Sequence, residues 1–423
     1  MPEPGNRRDI RAFVLLGHDF GANTWERREA LGLIPGLNDR LAYGYYRAAG
    51  QGWVIEYSHD SQEGSLTRFA RLALRKVLGF DLLHVYRNRA RLLRADIIWT
   101  HTELENLAAL ALFRILRCQN PPKLIANCVW LFDRWPNLSR SRRVLYRALL
   151  KDATVITTFS PKNLEVAKQL LPSVRCECLL WGALTQEMAP PRRGHVHRPV
   201  RIASLGNDMH RDWITILRAF GNVDGYEVRI GSSKISSRLV QGLRNVTVKS
   251  VEVEDQVRAL YDWADIVVIS LKPNLHVSGL TVIFESIICG VPTICTDTGG
   301  LRVYFSDMEV TYVPAFAPVA MRVAAERLSV DSEGRFTQTI RAQQRLISGE
   351  LTARGFAMRN RSLSEELLRE GSSSYTDDAK DFVYPSGDEP NGSESTTEFC
   401  SSDGQPHGEL RPVVEGKTGD PRK

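Results

Sequence analysis

The sequence predicts an α/β protein with two Rossmann-like domains and an unfolded C-terminal tail. Short apolar segments that end near a glycine recur along the chain, and many precede a segment of helical length; Asp9–Phe20 and Val200–Trp213 are two examples. This repetition of strand, glycine turn and helix is typical of doubly wound parallel sheets. The length of 423 residues allows two or three domains, each with a core of its own.

Composition divides the chain further. We place the first domain at residues 1–188, a hinge rich in proline and charge at 189–199, and the second domain at 200–330. Residues 331–370 are predicted to be largely helical. Residues 371–423 are poor in apolar types and rich in Ser, Gly, Asp, Glu and Pro, which predicts a disordered tail.

The overall composition is that of an ordinary soluble protein, with 43% hydrophobic and 25% charged residues. No run of about 18 apolar residues indicates a membrane span. The polar segment Met1–Arg11 does not resemble a secretion signal. The seven cysteines are scattered without the spacing of a zinc site, so we interpret them as reduced thiols and expect a cytoplasmic location.

Positive charge is concentrated outside the tail. The tail carries eleven acidic and five basic residues, which give it a net charge of −6. Because the full chain has a net charge of +6, residues 1–370 carry a net charge of +12. The most basic stretch contains a predicted amphipathic helix, in which Arg68, Arg71 and Arg75 recur at intervals of three and four. This pattern predicts a face for an anionic membrane surface; a solvated helix face is the alternative. We do not expect nucleic-acid binding, because the basic stretch has no recognition motif with interleaved aromatic residues.

The most informative segment is His276–Gly300. Ser278 and Gly279 precede a short apolar helix, whose unpaired first amides and dipole would bind an anion. Glu285 lies almost two turns later among apolar residues, where a carboxylate is costly without a partner such as the two hydroxyls of a ribose. An anion site beside a ribose site indicates a nucleoside-diphosphate ligand. The alternative is a helix of a parallel sheet with an incidental buried glutamate.

This segment resembles the donor-binding signature of GT-B glycosyltransferases, especially those of family 4 that assemble bacterial polysaccharides and glycolipids. The resemblance implies two Rossmann-like domains that face each other across a cleft, with residues 331–370 packing back on the first domain. It assigns the donor pyrophosphate to the backbone at the start of the helix and the ribose hydroxyls to Glu285. The implied pyrophosphate segment consists of Ser278, Gly279, Leu280 and Thr281.

One position departs from the family pattern. The family usually has a glutamate eight positions before the final one, where it touches the donor sugar, but this chain has Val277, with His276 beside it. The spacing from Gly279 to Glu285 is also one residue longer than usual. Nucleotide binding survives this departure, while the identity of the sugar stays open.

The resemblance implies further site residues at the ends of other strands. Gly17 belongs to a loop similar to the first glycine loop, which faces donor phosphates and acceptor; a simple connector is the alternative. His101 matches a histidine that contacts the donor sugar. Asn207 and Arg211 lie on the corresponding loop of the second domain, where Arg211 would neutralise the diphosphate; a helix-capping pair with Asp212 is the alternative.

The predicted activity is transfer of a hexose from a nucleoside-diphosphate sugar to the hydroxyl of a saccharide or lipid-linked acceptor. His101, Glu103 and Asp19 are the catalytic candidates. An inverting reaction would require a carboxylate base, for which Asp19, Glu103 and Asp133 qualify; a retaining reaction, which family 4 implies, requires none. No Asp-x-Asp metal motif is present, so we expect no metal or other cofactor. The alternatives are a non-catalytic nucleotide-sugar-binding protein and a nucleotide-sugar epimerase of the same fold.

Overall fold

The computed structural model describes residues 8–184 and 187–373, and it contains two six-stranded parallel sheets. The first sheet has the strand order β2-β1-β3-β4-β5-β6. Its strands are β1 (Ile10–Leu15), β2 (Trp53–Tyr57), β3 (Ile97–Thr100), β4 (Lys123–Asn127), β5 (Val155–Thr158) and β6 (Cys176–Cys178). The order changes direction between β1 and β3, and a crevice for ligands is expected at the carboxyl ends of the strands there.

Eight α-helices connect these strands, and their ends follow local sequence signals. They are α1 (Ala22–Ala30), α2 (Ser65–Leu78), α3 (Leu82–Arg87), α4 (Arg89–Leu92), α5 (Glu103–Ile115), α6 (Leu131–Arg134), α7 (Arg140–Leu150) and α8 (Pro161–Leu170). Helix α5 begins with a capping box between Thr102 and Glu105. Helix α8 begins with Ser160 as its cap and Pro161 in its first turn.

The second sheet has the strand order β12-β11-β10-β7-β8-β9. Its strands are β7 (Val200–Leu205), β8 (Tyr226–Gly231), β9 (Val246–Lys249), β10 (Ile266–Ile269), β11 (Thr293–Thr296) and β12 (Thr311–Val313). Its helices are α9 (Trp213–Phe220), α10 (Ser237–Val240), α11 (Glu254–Trp263), α12 (Leu280–Ile288) and α13 (Pro318–Val330). Strand β10 is entirely apolar and entirely buried, because helices cover both faces of a parallel sheet.

Two further helices follow the second sheet. Helix α14 (Ser332–Ser348) contacts the second domain, where Gln343 donates to the carbonyl of Ile287 at 2.9 Å. Helix α15 (Ala353–Ser373) returns to the first domain, where the indole of Trp99 donates to Ser364 at 2.8 Å. Apart from the last turn of α15, the predicted tail at 371–423 lies outside the described residues.

Aromatic contacts join the two domains. Tyr304 follows β11 in the second domain, and its hydroxyl donates to the carbonyl of Phe159 in the first domain at 2.8 Å. The same hydroxyl accepts the amide of Trp181 at 3.0 Å, and the Trp181 ring packs edge-on against Phe284 of α12. The predicted fold, two Rossmann-like domains facing across a cleft, is confirmed.

Helix α2 corrects one prediction. Arg71 is 5% exposed, and its guanidinium pairs with Glu63 and Asp81 at 2.9 and 2.7 Å. Its assignment to an exposed basic face is therefore wrong: acidic residues on both sides of the helix draw the arginine inward. Arg68 and Arg75 are exposed, as predicted. No helix within the described residues is long and apolar enough to span a bilayer.

Candidate functional site

A cavity of about 370 Å³ lies where the carboxyl ends of the two sheets face each other. The first domain contributes loops that follow β3, β4, β5 and β6, together with two residues before β2. The second domain contributes loops that follow β7, β8, β9 and β10 and the start of α12. The lining residues of the first domain and the connection are Gly36, Tyr43, His101, Val129, Trp130, Phe159 and Trp181. Those of the second domain are Leu205, Gly206, Asn207, Asp208, Arg211, Gly231, Val251, Val257, His276, Val277, Ser278, Gly279, Thr281, Val282 and Glu285.

Arg211 is a buried cation at the wall of this cavity. It is 7% exposed, and its Nε and Nη1 atoms have no hydrogen-bond partner among the described residues. Burial lowers the pKa of its guanidinium. The predicted alternative, a pair with Asp212, is not formed, because the Asp212 carboxylate caps α9 through Thr215. A buried guanidinium with free donors requires an anion.

Helix α12 begins beside Arg211. Gly279 has φ +87°, and a Cβ atom there would lie 2.9 Å from Ile269 and 3.1 Å from Nη1 of Arg211. Glycine therefore permits the close approach of the arginine to the helix start. Ser278, Gly279 and Thr281 line the cavity, so the positive end of the helix dipole faces the same space as the guanidinium. Leu280 packs into the core, and its amide donates to the carbonyl of Val277 at 3.1 Å.

Glu285 lies further along the same helix at the other end of the cavity. Its Oε2 accepts the hydroxyl of Tyr261 at 2.8 Å, and a Cβ on Gly36 would lie 3.3 Å from Oε1. Burial, partly offset by hydrogen bonds from Tyr261 and the amide of Leu37, raises the pKa of Glu285 to about 7. An ionised carboxylate in this position accepts hydrogen bonds from hydroxyl groups, and each further donor on a ligand would stabilise its charged form.

Asp133 connects the first domain to the loop that precedes α12. Its carboxylate accepts the amides of Leu275 and His276 at 2.7 and 3.1 Å and the Nδ1 of His276 at 2.7 Å. His276 is 3% exposed, and its Nε2 lies 3.4 Å from Asp208. Burial lowers the pKa of His276, but the hydrogen bond to Asp133 and the nearby carboxylate of Asp208 outweigh it and raise the pKa to about 9. A cation thus lies between carboxylates of both domains.

The cavity is aromatic where it meets the first domain. The rings of Tyr43 and His101 stack with centroids 3.6 Å apart, and Phe159 stacks on Trp181 at 5.7 Å. The hydroxyl of Tyr45 lies 3.0 Å from the Nδ1 of His101. Burial lowers the pKa of His101 to about 3, so its imidazole is neutral.

Besides Asp133, three predicted residues of the first domain lie outside the cavity lining. Asp19 is exposed on the loop after β1, with φ +80°. Glu103 is buried, and its Oε2 accepts the amides of Val129 and Trp130 at 3.1 and 3.2 Å, which fixes the loop after β4. Burial raises the pKa of Glu103. Gly17 lies against Glu105, whose Oε1 would be 3.0 Å from a Cβ atom at that position.

Asn207 does line the cavity, and it also joins two loops. Its Oδ1 accepts the hydroxyl of Ser232 and the amide of Ser233, both at 2.9 Å. The structure therefore brings Asn207, Arg211, Glu285 and the start of α12 to one place. His101 reaches the same cavity from the opposite domain.

Sequence reasoning missed several lining residues. Asp208 lies one position after Asn207, yet no local pattern distinguished it. Its carboxylate accepts the hydroxyl of Ser278 at 2.8 Å. Gly36 reaches Glu285 across the domain boundary, and no periodicity signals such a contact. Val251 and Val257 are apolar, and nothing in the sequence distinguished them from ordinary core residues.

No protein-family model matches the chain, and no curated protein sequence matches it. Solved structures match its fold. Sucrose-phosphate synthase from Thermosynechococcus elongatus is 15% identical with a TM-score of 0.65, covering 85% of this chain and 100% of that one. HepE of Anabaena, in complex with UDP and glucose, is 12% identical with a TM-score of 0.56, covering 84% and 98%. A UDP-forming α,α-trehalose-phosphate synthase from Burkholderia vietnamiensis is 10% identical with a TM-score of 0.54, covering 86% and 99%. The two domains therefore have the GT-B arrangement.

Proposed function

We propose that the protein is a glycosyltransferase that moves a sugar from a nucleoside-diphosphate sugar to an acceptor hydroxyl. One observation carries this proposal: the guanidinium of Arg211, whose Nε and Nη1 have no hydrogen-bond partner among the described residues, and the carboxyl group of Glu285 on α12 face the same cavity. A diphosphate and the adjacent ribose present the matching charges and hydroxyls. Of the proteins of like fold, HepE was solved in complex with UDP and glucose and the trehalose-phosphate synthase is UDP-forming, which supports a uridine nucleotide as the donor.

In this proposal the donor lies along the second domain. The diphosphate occupies the space between Arg211 and the first turn of α12, and the ribose hydroxyls donate to Glu285. The base packs among the apolar residues beyond Glu285, which are Leu205, Val251 and Val257. The sugar then points toward His101 in the first domain, which agrees with the role implied for that histidine by the resemblance.

The chemistry follows from this placement. The bond between the anomeric carbon and the diphosphate oxygen breaks, and the electron pair leaves with the diphosphate. The acceptor hydroxyl oxygen forms the new bond to the anomeric carbon, and its proton passes to the departing diphosphate oxygen. Arg211 and the helix start stabilise the departing charge, so no metal is needed for this step. The three carboxylates considered as bases, Asp19, Glu103 and Asp133, lie outside the lining. This placement supports transfer without any of the three as base, and hence retention of configuration.

The proposed acceptor is a lipid-linked saccharide at the cytoplasmic face of an anionic membrane, as in polysaccharide or glycolipid assembly. Helix α2 supports this assignment in a revised form. Leu66, Phe69 and Val77 share one face of α2 and are 81%, 70% and 72% exposed. Lys76 is exposed at the edge of that face, whereas Arg68 and Arg75 lie on the opposite side of the helix. The feature typical of an interfacial helix is therefore the exposed apolar face with Lys76 beside it.

The test combines donor binding with turnover. The purified full chain is titrated with UDP, GDP and ADP sugars, and thermal stabilisation is compared between the wild type, Glu285→Ala and the control Glu254→Ala, which removes an exposed carboxylate on α11. Stabilisation by one nucleotide family, lost in Glu285→Ala alone, supports the proposal. Transfer to an added saccharide or lipid-linked acceptor identifies the enzyme. Binding without transfer would favour a sensor, and conversion of the donor with no acceptor would favour an epimerase.

A further inference from the structure

Three potential metal ligands meet on two neighbouring loops of the second domain. Asp208 and His210 follow β7, and His276 follows β10. One ligand atom from each of the three lies within 4.8 Å of the others. The Oδ1 of Asp208 is 3.4 Å from the Nδ1 of His210, and its Oδ2 is 3.4 Å from the Nε2 of His276. Ligands held at about 2.1 Å from a tetrahedral ion are roughly 3.4 Å apart.

Both imidazoles direct a nitrogen atom toward the shared space, and an ion bound there would displace the proton that His276 carries in its absence. The Nδ1 of His210 and the Nε2 of His276 are buried and have no hydrogen-bond partner in the described part of the chain. The Nδ1 of His276 donates to Asp133 at 2.7 Å, which fixes the ring with its Nε2 toward Asp208. A carboxylate on the far nitrogen of a histidine is the usual support for a metal-ligating imidazole. The rings of His210 and His276 lie edge to face, with centroids 4.9 Å apart.

We propose that Asp208, His210 and His276 bind a divalent transition-metal ion of the Zn²⁺ class. Two imidazole nitrogens and one carboxylate suit Zn²⁺, whereas Mg²⁺ and Ca²⁺ prefer oxygen ligands. Asp208 and His276 line the cavity, so the fourth position of the ion faces that space. The ion ties the loop after β7 to the loop before α12 and, through Asp133, to the first domain.

This inference rests on the geometry of the three side chains and does not depend on the proposed glycosyl transfer. In that reaction the departing charge is met by Arg211 and the start of α12. Either proposal, metal binding or glycosyl transfer, can therefore be disproved while the other stands. Glu285→Ala is expected to abolish nucleotide binding and to leave metal binding unchanged.

The experiment is a titration of tag-free, metal-free full-length protein with Zn²⁺ against a chromophoric chelator. We expect one ion per chain with a dissociation constant in the micromolar range or below, and no competition from millimolar Mg²⁺. His210→Ala is expected to weaken Zn²⁺ binding at least tenfold, and Asp133→Asn by about tenfold through loss of the support for His276. His197→Ala is the matched control, because His197 is an exposed histidine of the connecting segment paired with Asp265.

Two results would overturn the proposal. One is the absence of stoichiometric binding by a correctly folded wild type. The other is binding that survives His210→Ala, which would place the ion elsewhere, for example on a cysteine. His210 is the preferred variant because its side chain is 18% exposed and its removal disturbs the fold less than removal of the buried His276.

Discussion

Asp133 of the first domain and His276 of the second share a buried hydrogen bond of 2.7 Å between Oδ2 and Nδ1. The same carboxylate accepts two backbone amides of the loop that leads to α12. One side chain of the first domain thus sets the position of the helix start that faces the cavity. The candidate site therefore depends on residues of both domains.

The first prediction concerns this contact. Asp133→Ala should lower the free energy of unfolding by about 2–4 kcal/mol, because two buried amides and one imidazole lose their acceptor. Urea denaturation measures the change. Asp152→Ala is the control, since Asp152 pairs with Arg114 at the exposed surface and should contribute less than about 1 kcal/mol. Equal effects of the two variants would contradict the importance of the buried contact.

The second prediction separates binding from stability at Arg211. Arg211→Met should weaken binding of a UDP sugar by about 100-fold, which corresponds to the loss of charge-assisted hydrogen bonds worth roughly 3 kcal/mol. The ligand-free variant should be at least as stable as the wild type, because the substitution removes a buried cation whose Nε and Nη1 have no partner in the part of the chain that the structure describes. Calorimetric titration and thermal melting measure the two quantities.

The control for this experiment is Arg258→Met. Arg258 pairs with Glu254 on the surface of α11 and does not line the cavity. It should leave affinity unchanged. A loss of stability in Arg211→Met without a loss of affinity would show that the guanidinium serves the fold and not the ligand.

The third prediction is a dependence of donor affinity on pH. Burial, despite the hydrogen bond from Tyr261, raises the pKa of Glu285 to about 7, and ribose hydroxyls donate to the ionised form. Affinity for UDP-glucose, whose phosphates do not titrate in this range, should rise about tenfold between pH 6 and pH 8 and then level off. Glu285→Gln should bind weakly with no such rise.

The stability of the ligand-free protein should change with pH in the direction opposite to that of donor affinity. The folded state retains the proton of Glu285 up to a pH of about 7, whereas an unfolded glutamate loses it near 4.5. This group therefore destabilises the ligand-free protein progressively as the pH rises from about 4.5 to 7. Relative to wild type, Glu285→Gln should gain stability at pH 8 and not at pH 4. A constant difference between the two proteins at all pH values would contradict the raised pKa.

Much of the fold could be predicted from local patterns. The alternation of apolar strands, glycine turns and helices indicates two parallel sheets. The resemblance to GT-B glycosyltransferases assigned Arg211 after β7 and Glu285 after β10 to one donor site, as the meeting of the carboxyl ends of parallel strands allows. The structure places both in one cavity.

Contacts across the domain boundary could not be predicted. Asp133 and His276 are 143 residues apart, and their meeting depends on how the two sheets dock. The approach of Gly36 to Glu285 has the same origin. Arg71 shows a different failure: helical spacing grouped it with Arg68 and Arg75, yet Glu63 and Asp81 at the two ends of α2 pair with it and bury it.

The last prediction concerns the revised membrane face of α2. The full chain should bind vesicles that contain anionic phospholipid and bind neutral vesicles more weakly, with affinity falling at high salt. Phe69→Ser should reduce partitioning by about tenfold, because a ring that is 70% exposed in the free protein would otherwise be buried in lipid. Val319→Ser on α13 is the control, since Val319 is 63% exposed on the other domain. Equal losses in both variants would indicate nonspecific adsorption, whereas a loss confined to Phe69→Ser would place the lipid-binding surface at α2.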